Sequence, residues 1–359
     1  MTAAPTRRKE QIDIKKAKAT VEKGRRARWW TRTGSKARGF RYFESDGERI
    51  TDDDALDRIR SLVIPPAWRF VRISPAATGY LQAVGVDTVG RIQYLYHQRY
   101  AETQKRKKFA KIERFAAFLP AIRETTNSHL GLPGFPREKV LALVLRLLNS
   151  LYIRMGTDNS VRRYKTYGIT TLRNQHLEIR RNGTLIFSFV GKSHIKHRTV
   201  LVDIGLARLM KEIKELGRSQ KLFHYVDKDG RPRPVNPSDV NRYIKEISSP
   251  DFSSKDFRTW GATLLAATEL ARLGAVGGDE QRTKKNIITA VGRVAEQLGN
   301  TPSVCRESYI HPAVICAYER GMTLEEFHSR GPRRRRIHLS AAATREEAAM
   351  IRLFRFMAS

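Results

Sequence analysis

Apolar positions recur along the chain in two rhythms, one near 3.6 residues and one of two. Leu56, Ile59, Leu62 and Val63 sit at helical spacing behind the carboxylates of Asp52-Asp53-Asp54, and Ile64-Pro65-Pro66 stops that helix. Strand-like runs follow at residues 70–73, 80–84 and 91–97, with turn signals between Gly85 and Gly90. In the last run Ile92, Tyr94 and Tyr96 share one face. The period then lengthens. Residues 107–119 form an amphipathic helix, and residues 137–152 are apolar on most sides, which predicts a central helix. Between about 168 and 203 the period returns to two, with strands at 176–179, 185–190 and 198–202 and an Asn182-Gly183 hairpin turn. Helices resume at 206–216, 238–247, 255–272 and 284–298. Thr344-x-x-Glu347 reads as a capping box that opens a last helix ending at Phe356.

This pattern predicts an α+β chain. A small N-terminal antiparallel β-sheet domain with helices covers residues 39–104. A larger, mainly α-helical domain carrying a three-stranded β-hairpin region covers 105–330. A length of 359 residues agrees with about two domains. Flanking them are an arm over 1–38, with 13 Lys and Arg against 3 acidic residues, and a basic tail over 331–359. The arm is too charged to offset its chain entropy by burial and is expected to be disordered. Residues 330–336, with Gly331-Pro332 and four consecutive arginines, read as a hinge.

Charge narrows the function. Lys and Arg number 68 against 36 acidic residues, a net charge of +32. Such a chain repels itself, which argues against an ordinary neutral metabolic enzyme and for a polyanionic partner: DNA, RNA or an anionic membrane. The membrane reading weakens, because no stretch approaches the roughly 20 apolar residues of a spanning helix. The longest apolar segment, 140–153, is interrupted by Arg146 and Asn149, and no apolar run follows the basic N-terminus. Two cysteines, Cys305 and Cys316, cannot build a disulfide framework or a Cys-only zinc site. The expectation is a cytoplasmic, nucleoid-associated protein working on nucleic acid, with residues 39–104 as a DNA-binding cap.

Several motif fragments carry no chemistry. Gly191-Lys192-Ser193 imitates a phosphate-binding loop, but Ile186 stands where the first glycine belongs and the segment joins strands. Gly274-Ala275-Val276-Gly277-Gly278 fails dinucleotide spacing. His194 and His197 have no carboxylate or thiolate set near them, so no metal site and no cofactor are expected. No acidic cluster suits a two-metal nuclease. Phosphoryl transfer without a metal must draw its charge stabilisation from Arg, Lys and amide donors.

Four segments offer such donors. They are Leu151-Tyr152-Ile153-Arg154-Met155-Gly156, Phe189-Val190-Gly191-Lys192, Lys255-Asp256-Phe257-Arg258-Thr259, and residues 298–309 from Leu298-Gly299-Asn300 to Cys305-Arg306-Glu307-Ser308-Tyr309. In this order they resemble the catalytic blocks of type IB DNA topoisomerases of the compact bacterial and poxvirus-like branch. The resemblance spans roughly 39–330. Ile64-Pro65-Pro66-Ala67-Trp68 and residues 87–97, Asp87-Thr88-Val89-Gly90-Arg91-Ile92-Gln93-Tyr94-Leu95-Tyr96-His97, are similar to that branch as well.

The resemblance implies a tyrosine recombinase/topoisomerase IB-like fold that clamps duplex DNA, with a hinge near residues 100–108. It implies a monomer that relaxes positive and negative supercoils without ATP or metal. Tyr309 matches the nucleophile, which leaves a 3′-phosphotyrosyl link and a free 5′-hydroxyl. An isolated tyrosine has a pKa near 10, so the site must be strongly cationic. Arg154 and Arg258 match the arginines that hold the non-bridging oxygens, a task suited to a planar, permanently charged fork. Lys192 matches the lysine that protonates the departing 5′-oxygen. Asn300 stands nine residues before Tyr309, where many members carry His. It can donate a hydrogen bond to a phosphate oxygen but carries no proton or positive charge. Gln93, Tyr94 and Tyr96 match major-groove contacts, and Arg91, Lys255 and Arg306 add DNA-binding candidates. Ile92 and Leu95 depart from the more polar residues of relatives.

Two other readings stay open. Tyrosine recombinases share the fold and an Arg, Lys, Arg, Tyr set, but usually carry His-x-x-Arg where this chain has Lys255-Asp256-Phe257-Arg258. A catalytically inert architectural DNA-binding protein would use the charge alone.

Overall fold

The computed structural model describes residues 15–217, 219–328 and 341–358. The chain divides into two compact units, Met1–Lys108 and Phe109–Ser359.

The first unit is built on a five-stranded antiparallel sheet of order β2-β1-β3-β4-β5. Its strands are β1 (Trp30–Ser35), β2 (Gly39–Phe43), β3 (Arg69–Ile73), β4 (Leu81–Val86) and β5 (Ile92–Tyr96). Helix α1 (Asp53–Ser61) starts where the Asp52 carboxylate accepts the Ala55 N–H at 2.8 Å. It drops Ile59 onto Ile50, Val71, Ile73 and Ala83. Gly85 lies inside β4 rather than opening the turn, because a Cβ there would come within 2.8 Å of the Trp68 ring.

The disordered arm expected over 1–38 is corrected here for its described part. Ala17 and Val21, in the helical residues 15–21, pack on Val84 and Val86, and β1 pairs with both β2 and β3. Its charge is accommodated locally. Arg32 donates to the carbonyls of Ile64, Pro65 and Trp68 at 3.3, 3.1 and 2.8 Å while lying over the Phe40 ring. Residues 1–14 lie outside the described residues.

Helix α2 (Gln98–Leu130) runs without interruption through residues 100–108, where a hinge is expected, and through Pro120. The second unit is organised around α3 (Arg137–Leu151), whose residues Val140–Leu145, Leu147 and Leu148 are all buried. After α3 come α4 (Asp158–Tyr164) and the sheet β6 (Leu177–Ile179), β7 (Thr184–Val190) and β8 (Lys196–Val202), in antiparallel order β6-β7-β8. Next are α5 (Ile204–Glu215), a small hairpin of β9 (His224–Val226) and β10 (Pro232–Pro234), and α6 (Pro237–Ile247). Helices α7 (Ser254–Leu273), α8 (Glu280–Leu298), α9 (Pro302–Ser308) and α10 (Pro312–Glu319) complete the core.

The tail expected over 331–359 is also corrected. Helix α11 (Arg345–Ala358) is opened by the Thr344/Glu347 capping box. It buries Ala349, Met350, Leu353 and Phe354 in the main core, so it is part of the domain and not an appendage. Glu347 also takes both Arg123 guanidinium nitrogens, at 2.9 and 2.6 Å. The arginine run at 333–336 and the hinge around it lie outside the described residues.

Candidate active site

Helix α3 ends on Tyr152, in the left-handed region at φ 53°, and the chain leaves it as an extended segment carrying Arg154. That segment is tied down by Ile169 N–H to the Arg154 carbonyl (2.8 Å) and Thr170 N–H to the Met155 carbonyl (2.9 Å). The close approach needs two glycines. A Cβ on Gly156 would lie 2.7 Å from the Gly168 nitrogen, and Gly156 itself has φ 79°. Arg154 thus projects from a fixed backbone, and its Nη2 donates to Asn300 Oδ1.

Arg258 lies on the first turns of α7 and is only 5% exposed. It pairs with neither Asp256 nor Glu307. Asp256 accepts the Ser253 N–H at the helix start and pairs with Lys111 at 2.8 Å. The Arg258 guanidinium instead donates Nη1 to the Tyr152 carbonyl and Nη2 to the Leu298 carbonyl. Both acceptors are at helix C-termini, where carbonyls lack intrahelical partners and a cation is favoured. One side chain therefore joins the ends of α3 and α8. Gly261, one turn further on, makes this possible, because any Cβ there would overlap the Tyr152 ring. Burial first, and the nearby Arg154 charge second, lower the Arg258 pKa to about 10, with Tyr309 acting in the opposite sense. At neutral pH the group stays charged.

Helix α8 stops at Gly299, left-handed at φ 58°, which turns Asn300 back toward the arginines. The short α9 follows, capped by the Thr301 hydroxyl with Pro302 at its first position. It ends on Tyr309, whose N–H reaches the Cys305 carbonyl at 2.9 Å. Tyr309 sits at the helix end and not within it. Thr263 on α7 holds this corner: its hydroxyl lies 3.1 Å from the Tyr309 carbonyl and accepts the His311 N–H at 3.1 Å. The Arg258 guanidinium carbon is 5.3 Å from the centroid of the half-buried Tyr309 ring.

Arg154, Arg258, Asn300 and Tyr309 therefore form one cluster. Two buried donors in it, Arg258 Nε and Asn300 Nδ2, have no hydrogen-bond partner. Buried donors are rarely left so, and a guanidinium N–H and an amide N–H free beside the Arg154 guanidinium suit an anionic oxygen. The Cys305 thiol, pushed up by burial, is a weak acceptor beside Asn300.

Lys192 is not in direct contact with this cluster. It is exposed at the turn between β7 and β8, which is closed by Gly191 N–H to the Ile195 carbonyl at 2.8 Å. Arg306 is exposed in the last turn of α9, and Lys255 is exposed at the start of α7. In the first unit, Gln93 and Arg91 both hold the Asp87 carboxylate, at 2.9 and 2.7 Å. Leu95 points into the core, while Tyr94 and Tyr96 are 44% and 43% exposed. Their rings stack at 6.2 Å, and Tyr100 and Tyr80 extend the row at 5.3 and 5.4 Å.

Sequence reasoning alone misses Thr263, Gly261 and the Gly156–Gly168 contact. The glycines carry a weak signal, since each stands two or three residues from an arginine block or opposite one. Thr263 carries none. Among the described residues, no helix is long and apolar enough to cross a membrane.

Comparisons with known proteins agree on the kind of catalyst. Residues 97–328 match the family model of the eukaryotic DNA topoisomerase I catalytic core, and residues 39–87 match that of the bacterial DNA topoisomerase IB N-terminal domain. The chain is 32% identical over 290 residues to DNA topoisomerase 1B of Acanthamoeba polyphaga mimivirus, covering 78% of this chain and 84% of the relative. It is 26% identical over 243 residues to DNA topoisomerase 1 of Rabbit fibroma virus, covering 65% and 70%. Among solved structures, the XerH site-specific recombinase bound to difH substrate matches with a TM-score of 0.34 and 15% identity. The match covers 53% of this chain and about half (48%) of that one, a likeness too distant to carry an argument.

Proposed function

Because the chain belongs to the type IB DNA topoisomerase family, we propose that it relaxes supercoiled duplex DNA through a covalent intermediate on Tyr309. The unpartnered buried donors beside Tyr309, Arg258 Nε and Asn300 Nδ2, carry this reading, because free donors of this kind suit the non-bridging oxygens of a phosphodiester.

The Tyr309 oxygen attacks phosphorus. A P–O bond to tyrosine forms, and the bond from phosphorus to the 5′-oxygen breaks. The phenol releases its proton to water, and the leaving 5′-oxygen takes one from Lys192. One phosphodiester replaces another, so the reverse attack by the 5′-hydroxyl reseals the strand with no ATP. Arg154 and Arg258 neutralise the charge that builds on the non-bridging oxygens. Asn300 adds a neutral donor, oriented through Oδ1 by Arg154. The cleaved strand swivels about its intact partner, driven by torsion, so supercoils of both signs relax. The five groups come from one chain, which supports action as a monomer. Gln93, Tyr94, Tyr96 and Arg91 are proposed duplex contacts, along with Arg306 and Lys255. Affinity falls steeply with salt as phosphate contacts release counterions. A polyanion-binding, nucleoid-associated role follows from the +32 charge.

The test is a Tyr309→Phe variant. It keeps duplex binding and loses plasmid relaxation, since only the nucleophilic oxygen is removed. An architectural protein with an idle site would show no change. A recombinase would need two specific sites and would leave a lone supercoiled plasmid untouched.

A further inference from the structure

Two glycines flank the catalytic residues without touching substrate in the scheme above. Gly191 precedes Lys192, and Gly299 precedes Asn300. Both are pressed against the same side chain. A Cβ built on Gly191 would meet His197 Cδ2 and Nε2 at 2.6 Å, and one built on Gly299 would run into His197 Cε1. The imidazole of His197 is thus wedged between two backbone segments that are over 100 residues apart in sequence. On a third side it stacks on Phe189, with ring centroids 5.0 Å apart and planes at 14°. His197 is on β8 opposite Phe189 on β7, one register step from the Lys192 turn. Within itself, that turn is closed by one backbone hydrogen bond, Gly191 N–H to the Ile195 carbonyl. Lys192, Ser193 and His194 are exposed, and Ser193 and His194 both take left-handed φ values, 62° and 59°.

We propose that His197 is a positioning residue for general-acid catalysis: its ring is the spacer that seats the Lys192 turn against the Gly299-Asn300 segment and so aims the Lys192 ammonium at the leaving 5′-oxygen. The inference rests on the proposed role of Lys192. Burial first, then the charges of Arg258 and Arg154, lower the His197 pKa. The ring is therefore neutral at neutral pH, as a spacer stacked on a phenyl ring should be, and its task is steric.

The chemistry of the leaving group separates this role from ordinary packing. A duplex with sulfur in place of the bridging 5′-oxygen at the cleavage site expels a thiolate, which needs no proton from an acid. The experiment measures single-turnover cleavage of the oxygen and the sulfur substrates by the full-length protein, with the duplex Kd for each variant. On the oxygen substrate His197→Ala slows cleavage by about 10- to 100-fold, within the range expected when an acid is misplaced. The sulfur substrate restores its rate to near the parent value, and Kd is unchanged. His197→Phe, which keeps a flat ring on Phe189, retains most of the oxygen-substrate rate. Gly191→Ala leaves the histidine in place and pushes on it from the turn, so it reproduces the sulfur-rescued defect even if His197→Ala folds poorly. Equal slowing on both substrates by both variants, or parent-like rates on the oxygen substrate, overturns the inference. Lys192→Ala is the control for the underlying reading. If sulfur fails to rescue it, the general-acid role of Lys192 is wrong. If sulfur rescues it but not the His197 and Gly191 variants, only the positioning role is wrong.

Discussion

Replacing Arg258 by Ala removes two interactions of different kinds, and the structure lets each be sized. The guanidinium satisfies the carbonyls of Tyr152 and Leu298, both at helix ends inside the core. Orphaning a buried acceptor costs about 1–3 kcal/mol, so the pair amounts to roughly 2–6 kcal/mol. At about 2–4 °C per kcal/mol for a unit of this size, Tm falls by roughly 4–24 °C. Losing a charged donor to the phosphate separately slows cleavage by roughly 10²- to 10³-fold or more. Arg258→Lys restores the charge but not the fork, since one ammonium cannot serve two carbonyls and a phosphate oxygen together. Its Tm lies between the other two proteins and its cleavage stays well below the parent's. The assays are thermal melting and single-turnover cleavage of a nicked duplex whose short downstream fragment, bearing the new 5′-hydroxyl, departs. A Tyr309→Phe background shows whether the Tm change needs the nucleophile; it should not. Arg258→Ala that melts with the parent would refute the helix-joining role, and parent-like cleavage would refute the catalytic one.

Other expectations follow from the same cluster and its support. Asn300→Ala slows cleavage by roughly 10²-fold, the usual cost of one oxyanion donor. With Asn in this place, and His197 held below its ordinary range, the parent cleavage rate shows no step near pH 6.5; a clear inflection there would contradict the assignment. Gly261→Ala forces the Tyr152 ring away from α7, costing about 1–3 kcal/mol by overpacking and slowing cleavage because the Tyr152 carbonyl shifts under Arg258; melting and cleavage on the same preparation check it. Glu347→Ala leaves the Arg123 guanidinium buried without its carboxylate, a loss of about 3–5 kcal/mol, which denaturant unfolding measures. Burial alone would raise the Glu347 pKa, but hydrogen bonds and charge from Arg123 outweigh it and the net shift is downward from 4.5. The stabilisation is therefore complete above about pH 5. It is lost as pH falls through the depressed folded value, and acid unfolding of the parent should show this loss while Glu347→Gln lacks it.

The legibility of this chain in its sequence follows from how local each signal is. Helix α3 and the Asp52 cap are visible because a stretch of leucines and valines, or a carboxylate three residues before its N–H, carries the whole instruction. The hairpin at Asn182-Gly183 is visible for the same reason. Strand β1 is not, since Arg32 makes it look like a solvated arm until the carbonyls of residues 64, 65 and 68 arrive from elsewhere in the chain. Helix α11 reads as a tail because its partners Arg123 and Trp260 are over 80 residues away. Pro120 hides the second half of α2, as a proline mid-helix normally ends one. At the site, residue types and order point to Arg154, Arg258, Asn300 and Tyr309. Their mutual support does not show, because it runs through backbone carbonyls and missing Cβ atoms, which leave little trace in one sequence.

The most direct trial of the central proposal is to incubate the protein with supercoiled plasmid in EDTA without ATP, quench with detergent during turnover, and identify the peptide joined to DNA. The expected result is topoisomers relaxed from either sign of supercoil, and a 3′-phosphate linked through the phenol of Tyr309. Relaxation with the DNA attached to another residue, or no covalent complex in a reaction that relaxes, would contradict it.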